Sequence, residues 1–238
     1  IGPSVVKINK ILSQMVKYFH PDLVFLYRCV FIWSNTVKDI SEHTIVFSYH
    51  NDDPFEAVPS MAYNRYYRRS VQYCHLNYVY RSKNLKDLES IGVNTGKILL
   101  PYYIEERNFY INCKKDVPIA FIGHWEDDGR EDILKALNDA NIGLQLYGPE
   151  ESWQQSKYWS TFKNIFHGEV VKKAYNLLLN RTEVCLVFFS HLNNDTYTRR
   201  CFEIPAVHGV MLSEYTDNMN RMFPEGVAAV YFRSKEEA

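Results

Sequence analysis

The sequence predicts an α/β protein made of two consecutive parallel-sheet units, and three observations carry this prediction. Apolar runs of strand length alternate with amphipathic helical segments along most of the 238 residues. These runs are continuous rather than alternating, which is typical of parallel strands covered on both faces. Residues 101–116 interrupt the rhythm with charges and no clear period, after which the pattern starts again.

In the first half, strand-like runs alternate with segments of helical spacing. The predicted strands are residues 22–27, 44–49, 76–80 and 97–100, and the predicted helices are residues 5–18, 37–41, 60–73 and 83–91.

The second half repeats this alternation. The predicted strands are residues 117–122, 143–147, 184–189, 210–212 and 227–232, and the predicted helices are residues 129–141, 170–180, 199–208 and a short one near residue 218. We therefore predict an incomplete Rossmann-like domain over residues 1–104, a linker over residues 105–116 and a second Rossmann-like domain over residues 117–238.

Composition excludes several classes of protein. The formal net charge of −1 gives no overall attraction to nucleic acid or to membranes. No apolar run approaches the ~18 residues of a membrane-spanning helix. The five cysteines are scattered and never form a C-x-x-C pair, which argues against a disulfide framework and favours a reducing, cytoplasmic location.

The most informative segment begins with Thr196 and Thr198 and continues into a short predicted helix that carries Arg199, Arg200 and Glu203. The free N–H groups and the dipole at a helix N-terminus favour phosphate. Glu203 lies about one turn further in, where its carboxylate could accept hydrogen bonds from a ribose diol. This combination predicts a nucleotide site; a capped surface helix with ordinary charges is the alternative.

Ligands of parallel sheets bind outside the carboxyl ends of the strands. There Gly123 could let its backbone approach a diphosphate, and Arg130 is either a phosphate ligand or a solvated charge. In the first half, His50, Asp52 and Asp53 follow a predicted strand, and one of them could accept a proton from an acceptor hydroxyl. The alternative is a turn, because Asn-Asp-Asp-Pro is strong turn chemistry.

Taken in order, these segments resemble GT-B nucleotide-sugar glycosyltransferases, in particular the group of the spore-maturation CgeB proteins. The landmarks are residues 50–55, 80–85, 121–124 with Arg130, 146–148, 200–209 and 232–234. The resemblance implies two Rossmann-like domains facing a cleft, with the donor held mainly by the second. It also implies that this chain is truncated at both ends.

Group 1 (family 4-like) glycosyltransferases carry two carboxylates eight positions apart, and Asp195 and Glu203 have this separation. Asp195 stands where Glu is more usual, and the intervening residues lack the usual Gly-Phe-Gly. The resemblance implies a donor site formed by Gly123, Arg130, Tyr147, Gly148, Asp195, Thr196, Thr198, Arg199, Arg200 and Glu203.

We therefore predict a metal-independent transferase that moves a hexosyl or pentosyl group from a nucleoside-diphosphate sugar to a hydroxyl of a glycan or glycoconjugate. No cofactor besides the donor and no nucleic acid partner are expected, while peripheral membrane contact is left open. A nucleotide-sugar epimerase and a noncatalytic nucleotide-sugar-binding module are the alternatives. The basic aromatic segment 63–69 could bind an anionic acceptor, a membrane interface or a nucleic acid, although a solvated helix face suits the neutral chain better.

Overall fold

The computed structural model describes residues 2–56 and 64–238. The chain forms two compact units, Ile1–Leu100 and Pro101–Ala238. The segment 105–116, predicted as a linker, thus belongs to the second unit. Each unit contains one parallel sheet.

The first unit contains a four-stranded parallel sheet in the order β1-β2-β3-β4. Its elements are α1 (Pro3–Phe19), β1 (Leu23–Tyr27), α2 (Ser34–Ser41), β2 (Ile45–His50), α3 (Asn64–Ser70), β3 (Leu76–Val79), α4 (Ser82–Ser90) and β4 (Gly96–Ile98). Residues 60–63, the start of the predicted helix 60–73, lie outside the described residues.

The described helices of the first unit pack on one face of its sheet. Val37 and Ile40 of α2 are fully buried against Val46 of β2 in one apolar cluster. Side chains of a strand alternate between faces, and on the other face Phe25 and Tyr27 of β1 remain about half exposed, at 49% and 51%. The expectation that both faces are covered is therefore wrong for the described part of this sheet.

The second unit contains a five-stranded parallel sheet in the order β6-β5-β7-β8-β9. Its elements are β5 (Val117–Ile122), α5 (Arg130–Asp139), β6 (Leu144–Tyr147), α6 (Glu150–Trp153), α7 (Trp159–Phe162), α8 (Lys172–Arg181), β7 (Thr182–Val187), α9 (Arg200–Ala206), β8 (Val210–Glu214), α10 (Asp217–Met222) and β9 (Val230–Phe232). The chain leaves β5 towards β6 on one side and returns to β7 on the other. The strand order therefore reverses at β5, which creates a topological switch point.

The charged segment before β5 is fixed by hydrogen bonds to α8. The buried Asn180 side chain accepts the backbone N–H of Ile111 at 2.6 Å, and the buried Asn176 side chain accepts that of Phe109 at 3.2 Å. Arg181 contacts both carboxylate oxygens of Asp116 at 2.7 and 2.8 Å. This segment is held by polar contacts, which hydrophobic periodicity does not reveal.

Candidate active site

A cavity of about 400 Å³ lies at the switch point of the second sheet, beside the loops that follow β5, β6 and β7. Eight of the ten residues predicted to bind the donor line it, together with Glu169, Val170 and Tyr175. These eight are Gly123, Arg130, Gly148, Asp195, Thr198, Arg199, Arg200 and Glu203. The fold therefore brings together loops that are up to eighty positions apart in the sequence.

Two glycines form the wall of this cavity by close approach of their backbones. A Cβ atom on Gly148 would lie 2.1 Å from the carbonyl oxygen of Gly123, so no other residue fits at position 148. The Gly123 carbonyl accepts the indole N–H of the fully buried Trp153 at 2.9 Å. Gly148 is thus required by packing between the loops, and Trp153 fixes the Gly123 loop at the cavity.

Arg200 is a cation that lies next to this loop. Its Nη2 atom is 3.5 Å from the point where a Cβ of Gly123 would stand. A guanidinium group matches the oxygens of a phosphate with two parallel hydrogen bonds. Arg200 and the Gly123 backbone could therefore contact the same diphosphate.

Glu203 is 8% exposed, and both of its carboxylate oxygens have partners. Oε2 accepts the hydroxyl of Tyr175 at 2.7 Å, and Oε1 contacts Nε of Arg199 at 2.8 Å. The ion pair on this helix therefore joins Arg199, rather than Arg200, to Glu203. Burial raises the pKa of Tyr175 above its usual value, so its hydroxyl remains a donor that orients the carboxylate towards the cavity.

Arg130 is buried and connects the ends of two strands. Its guanidinium donates to Asp128 at 2.5 Å, to the carbonyl of His124 at 3.1 Å and to the carbonyl of Phe189 at 3.1 Å. Most of its hydrogen-bonding capacity is thus used within the protein. These contacts hold Arg130 in the cavity wall. Of the two arginines, Arg200 has more hydrogen-bonding capacity left for a ligand.

Tyr147 and Thr196 do not line the cavity. The Tyr147 hydroxyl donates to Gln145 at 2.5 Å, and its ring stacks on His167. The Thr196 hydroxyl accepts a hydrogen bond from Asn218 at 2.8 Å. In the structure both residues support the loops that surround the cavity.

In the first unit, the structure places the two predicted aspartates in different surroundings. Asp53 is fully buried and accepts hydrogen bonds from Lys83 at 2.9 Å, Asn84 at 2.8 Å and the backbone of Phe55 at 3.0 Å. Burial opposes ionisation of Asp53, but these hydrogen bonds outweigh it and hold its pKa below the usual value. Asp53 is therefore equipped to fix the turn after β2 and the start of α4.

Asp52 and His50 differ in exposure. The Asp52 side chain is 17% exposed and forms an ion pair with Arg28. The His50 ring is buried, and its Nδ1 atom lies 3.1 Å from the backbone carbonyl of Asp52. A carbonyl can only accept, so the hydrogen of neutral His50 is on Nδ1. Of the three predicted residues, only Asp52 combines partial exposure with a carboxylate.

His50 is expected to make the folded state less stable in acid. Burial lowers its pKa to about 4, whereas an unfolded histidine has a pKa of about 6.5. Between these values only the unfolded chain binds the proton, so the free energy of unfolding falls as pH decreases from about 6.5 towards 4. The loss should reach about 3 kcal/mol.

Urea unfolding of the wild type and of His50→Gln at neutral and acidic pH measures this contribution. The difference between the two proteins should change across the interval, because glutamine does not titrate. Parallel stability profiles would show that His50 is not the group responsible.

The described parts of the chain contain no group of three or more histidine, cysteine, aspartate or glutamate side chains that could hold a metal ion. Within the same residues, none of the helices is both long and apolar enough to cross a bilayer. All five cysteines are free thiols.

A cavity with a cation and a buried carboxylate, placed at the switch point of a parallel sheet, is typical of nucleotide-binding α/β proteins. Comparison with known proteins agrees with this class. Residues 130–238 match the protein family described as "Glycosyl transferase-like". No curated protein matches the sequence.

The solved structures that are similar to this chain include the following three. Sucrose-phosphate synthase from Thermosynechococcus elongatus has a TM-score of 0.68 at 10% identity, over 98% of this chain and 66% of that one. Anabaena HepE in complex with UDP also has a TM-score of 0.68 at 10% identity, over 99% and 72%. The UDP-GlcNAc 2-epimerase from Methanocaldococcus jannaschii has a TM-score of 0.56 at 10% identity, over 98% and 72%.

The chain therefore has the GT-B fold of these structures, and residues 130–238 of its second unit are similar to the family described as glycosyl transferase-like. The resemblance and the fold class predicted from the sequence are confirmed. The chain spans about two thirds of the length of the sucrose-phosphate synthase structure, at 66%.

Proposed function

We propose that this protein transfers a sugar from a nucleoside-diphosphate sugar to a hydroxyl of a glycan or glycoconjugate. The observation that carries the proposal is the single cavity that gathers Gly123, Arg200 and Glu203 at the switch point of the second sheet. A glycine whose backbone a ligand can approach, a guanidinium group and an oriented carboxylate are the groups needed for a diphosphate and a ribose.

The diphosphate, the ribose and the base of the donor each have a candidate counterpart in the cavity. The diphosphate would lie between Arg200 and the Gly123 backbone, and the ribose hydroxyls would donate to Glu203. Glu169 and Val170 line the same cavity beside Gly148. They are the candidates to contact the base, since backbone N–H and C=O groups recognise its edge without a charged side chain.

Charge on the donor would be balanced by arginine rather than by a metal ion. Arg199 and Arg200 both line the cavity, and cations or backbone dipoles aimed at a departing diphosphate stabilise its developing charge. We propose a hexosyl or pentosyl transfer in the cytoplasm that needs neither a divalent ion nor a cofactor besides the donor.

Binding of nucleoside diphosphates tests the proposal directly. A ligand that binds only the folded state raises the melting temperature, so a panel of nucleoside diphosphates should yield at least one that does so, in EDTA as well as in Mg²⁺. The matching nucleosides, which lack the diphosphate, serve as controls and should give much smaller shifts.

Stabilisation that appears only with Mg²⁺ would contradict metal independence. Incubation with the donor sugar alone separates the transferase from the epimerase, because epimerisation requires no acceptor. An epimerised sugar nucleotide in that mixture would replace the proposed reaction.

A further inference from the structure

Helix α3 gathers arginine on one side of the first unit. Arg65, Arg68 and Arg69 occupy positions i, i+3 and i+4, which share one helix face. They line a groove of about 430 Å³ with Gln72, Ile91 and Val93, and we call these six residues the arginine groove. Tyr67 of the same helix points away into the core and is 3% exposed.

The three charges of this groove are not neutralised by the described residues. None of the ion pairs in residues 2–56 and 64–238 involves Arg65, Arg68 or Arg69. Arg68 donates to the carbonyl of Pro54 at 2.7 Å, and Arg65 donates to the hydroxyl of Tyr66 at 3.1 Å. Both partners are uncharged acceptors.

This concentration of charge is local, because the whole chain has a net charge of −1. Like charges three or four positions apart destabilise a helix by a few tenths of a kcal/mol per pair. A solvated surface would gain nothing from this arrangement, whereas a bound anion would offset the repulsion. These observations favour a bound anion over the solvated helix face that the sequence predicts.

We propose that the arginine groove binds a phosphate- or sulfate-bearing sugar, and that this sugar is part of the acceptor. The second half of this statement rests on the proposed glycosyltransferase function. Guanidinium groups bind the oxygens of such groups in bidentate geometry. The volume of about 430 Å³ lies in the range of small-molecule sites, and Ile91 and Val93 offer apolar contacts to a sugar ring.

The groove extends from the edge of the sheet where the strands begin towards the turn that follows β2. Helix α3 leads towards the start of β3, and residues 91–93 lie just before the start of β4. His50 and Asp52 stand where β2 ends, and parallel strands begin at one edge of the sheet and end at the other. Arg68 nevertheless donates to the carbonyl of Pro54, two positions after Asp52, at 2.7 Å, so an acceptor held in the groove would lie beside the turn that carries Asp52.

Titration calorimetry with glucose 6-phosphate tests the groove. Glucose and inorganic phosphate are the reference ligands. A saturating nucleoside diphosphate is present throughout to fill the proposed donor cavity. Wild-type protein should bind glucose 6-phosphate more tightly than either reference ligand. The double variant Arg65→Gln/Arg69→Gln should bind it at least tenfold more weakly. The matched control Arg221→Gln, which removes an exposed arginine from α10, should bind it within about twofold of wild type.

Nucleoside diphosphate affinity should be the same in all three proteins. Failure of the proposed function would appear as absent nucleoside diphosphate binding, whereas failure of the groove proposal would appear only in glucose 6-phosphate binding. Glucose 6-phosphate binding that is equal to inorganic phosphate binding, or equal losses in the Arg221→Gln control, would overturn the proposal. So would binding of vesicles that contain phosphatidylglycerol in the absence of any binding of the soluble sugar phosphate.

Discussion

Replacement of Asp52 by asparagine is expected to lower kcat by roughly 10²- to 10⁴-fold, the usual cost of losing a positioned general base. Asp52 follows β2, at the edge of the sheet where the strands end. Its carboxylate is 17% exposed and is held by Arg28. Asparagine keeps the shape of the side chain but cannot accept the proton of an acceptor hydroxyl. The affinity for nucleoside diphosphate should remain unchanged, because the donor cavity belongs to the second unit.

The neighbouring carboxylate supplies the control for this experiment. Asp53→Asn removes an equivalent charge one position away, where the side chain is fully buried among Lys83 and Asn84. This variant should lose folding stability and retain kcat at temperatures where it is folded. A wild-type rate in Asp52→Asn would leave Asp52 as the ion-pair partner of Arg28. The proton would then have to go to another acceptor, such as the donor phosphate.

Replacement of Glu203 by alanine is expected to weaken nucleoside diphosphate binding tenfold or more. Hydrogen bonds to a charged group contribute about 1.5–3 kcal/mol, and about 1.4 kcal/mol corresponds to a factor of ten in affinity. The loss has a second source, because alanine leaves the hydroxyl of Tyr175 and the guanidinium of Arg199 without the acceptor they now share. Calorimetric titration of the folded variant measures the change.

Tyr175→Phe gives a graded companion to this variant. It removes the hydrogen bond that orients Oε2 of Glu203 but keeps the aromatic ring in place. Its effect on affinity should be smaller than that of Glu203→Ala, at a few-fold, because Glu203 keeps its charge and its contact with Arg199. Unchanged affinity in Glu203→Ala would remove Glu203 from the donor site, and a larger loss in Tyr175→Phe would mean that Tyr175 contacts the nucleotide itself.

Much of the cavity in the second unit could be predicted from the sequence, because ligands of parallel sheets bind at the ends of the strands. A recognisable strand ends just before Gly123, and another begins shortly after the helix that carries Arg200 and Glu203. The structure brings these three residues into one cavity. Tyr175 gave no such signal. It lies within α8, where an aromatic residue at helical spacing is indistinguishable from a core residue until its partner is known.

The contacts of polar side chains could not be predicted from the sequence either. Asp52 and Asp53 are adjacent and chemically identical, yet one pairs with Arg28 and the other is enclosed by Lys83 and Asn84. Likewise, the order of the segment before β5 depends on Asn176 and Asn180, which lie almost seventy positions away. Hydrogen bonds of this kind depend on direction and distance in space, which the order of residues along the chain does not specify.

The sequence by itself determined the alternation of strands and helices, the parallel character of both sheets and most of the loops that line the cavity of the second unit. These features follow from local hydrophobic periodicity and chain connectivity, both of which are properties of the residue order itself. Only the tertiary structure decided that the strand order reverses at β5, that Arg199 rather than Arg200 pairs with Glu203, and that Gly148 must lack a Cβ beside the carbonyl of Gly123. The physical reason is that packing and hydrogen bonding act between residues that are neighbours in space and distant in sequence.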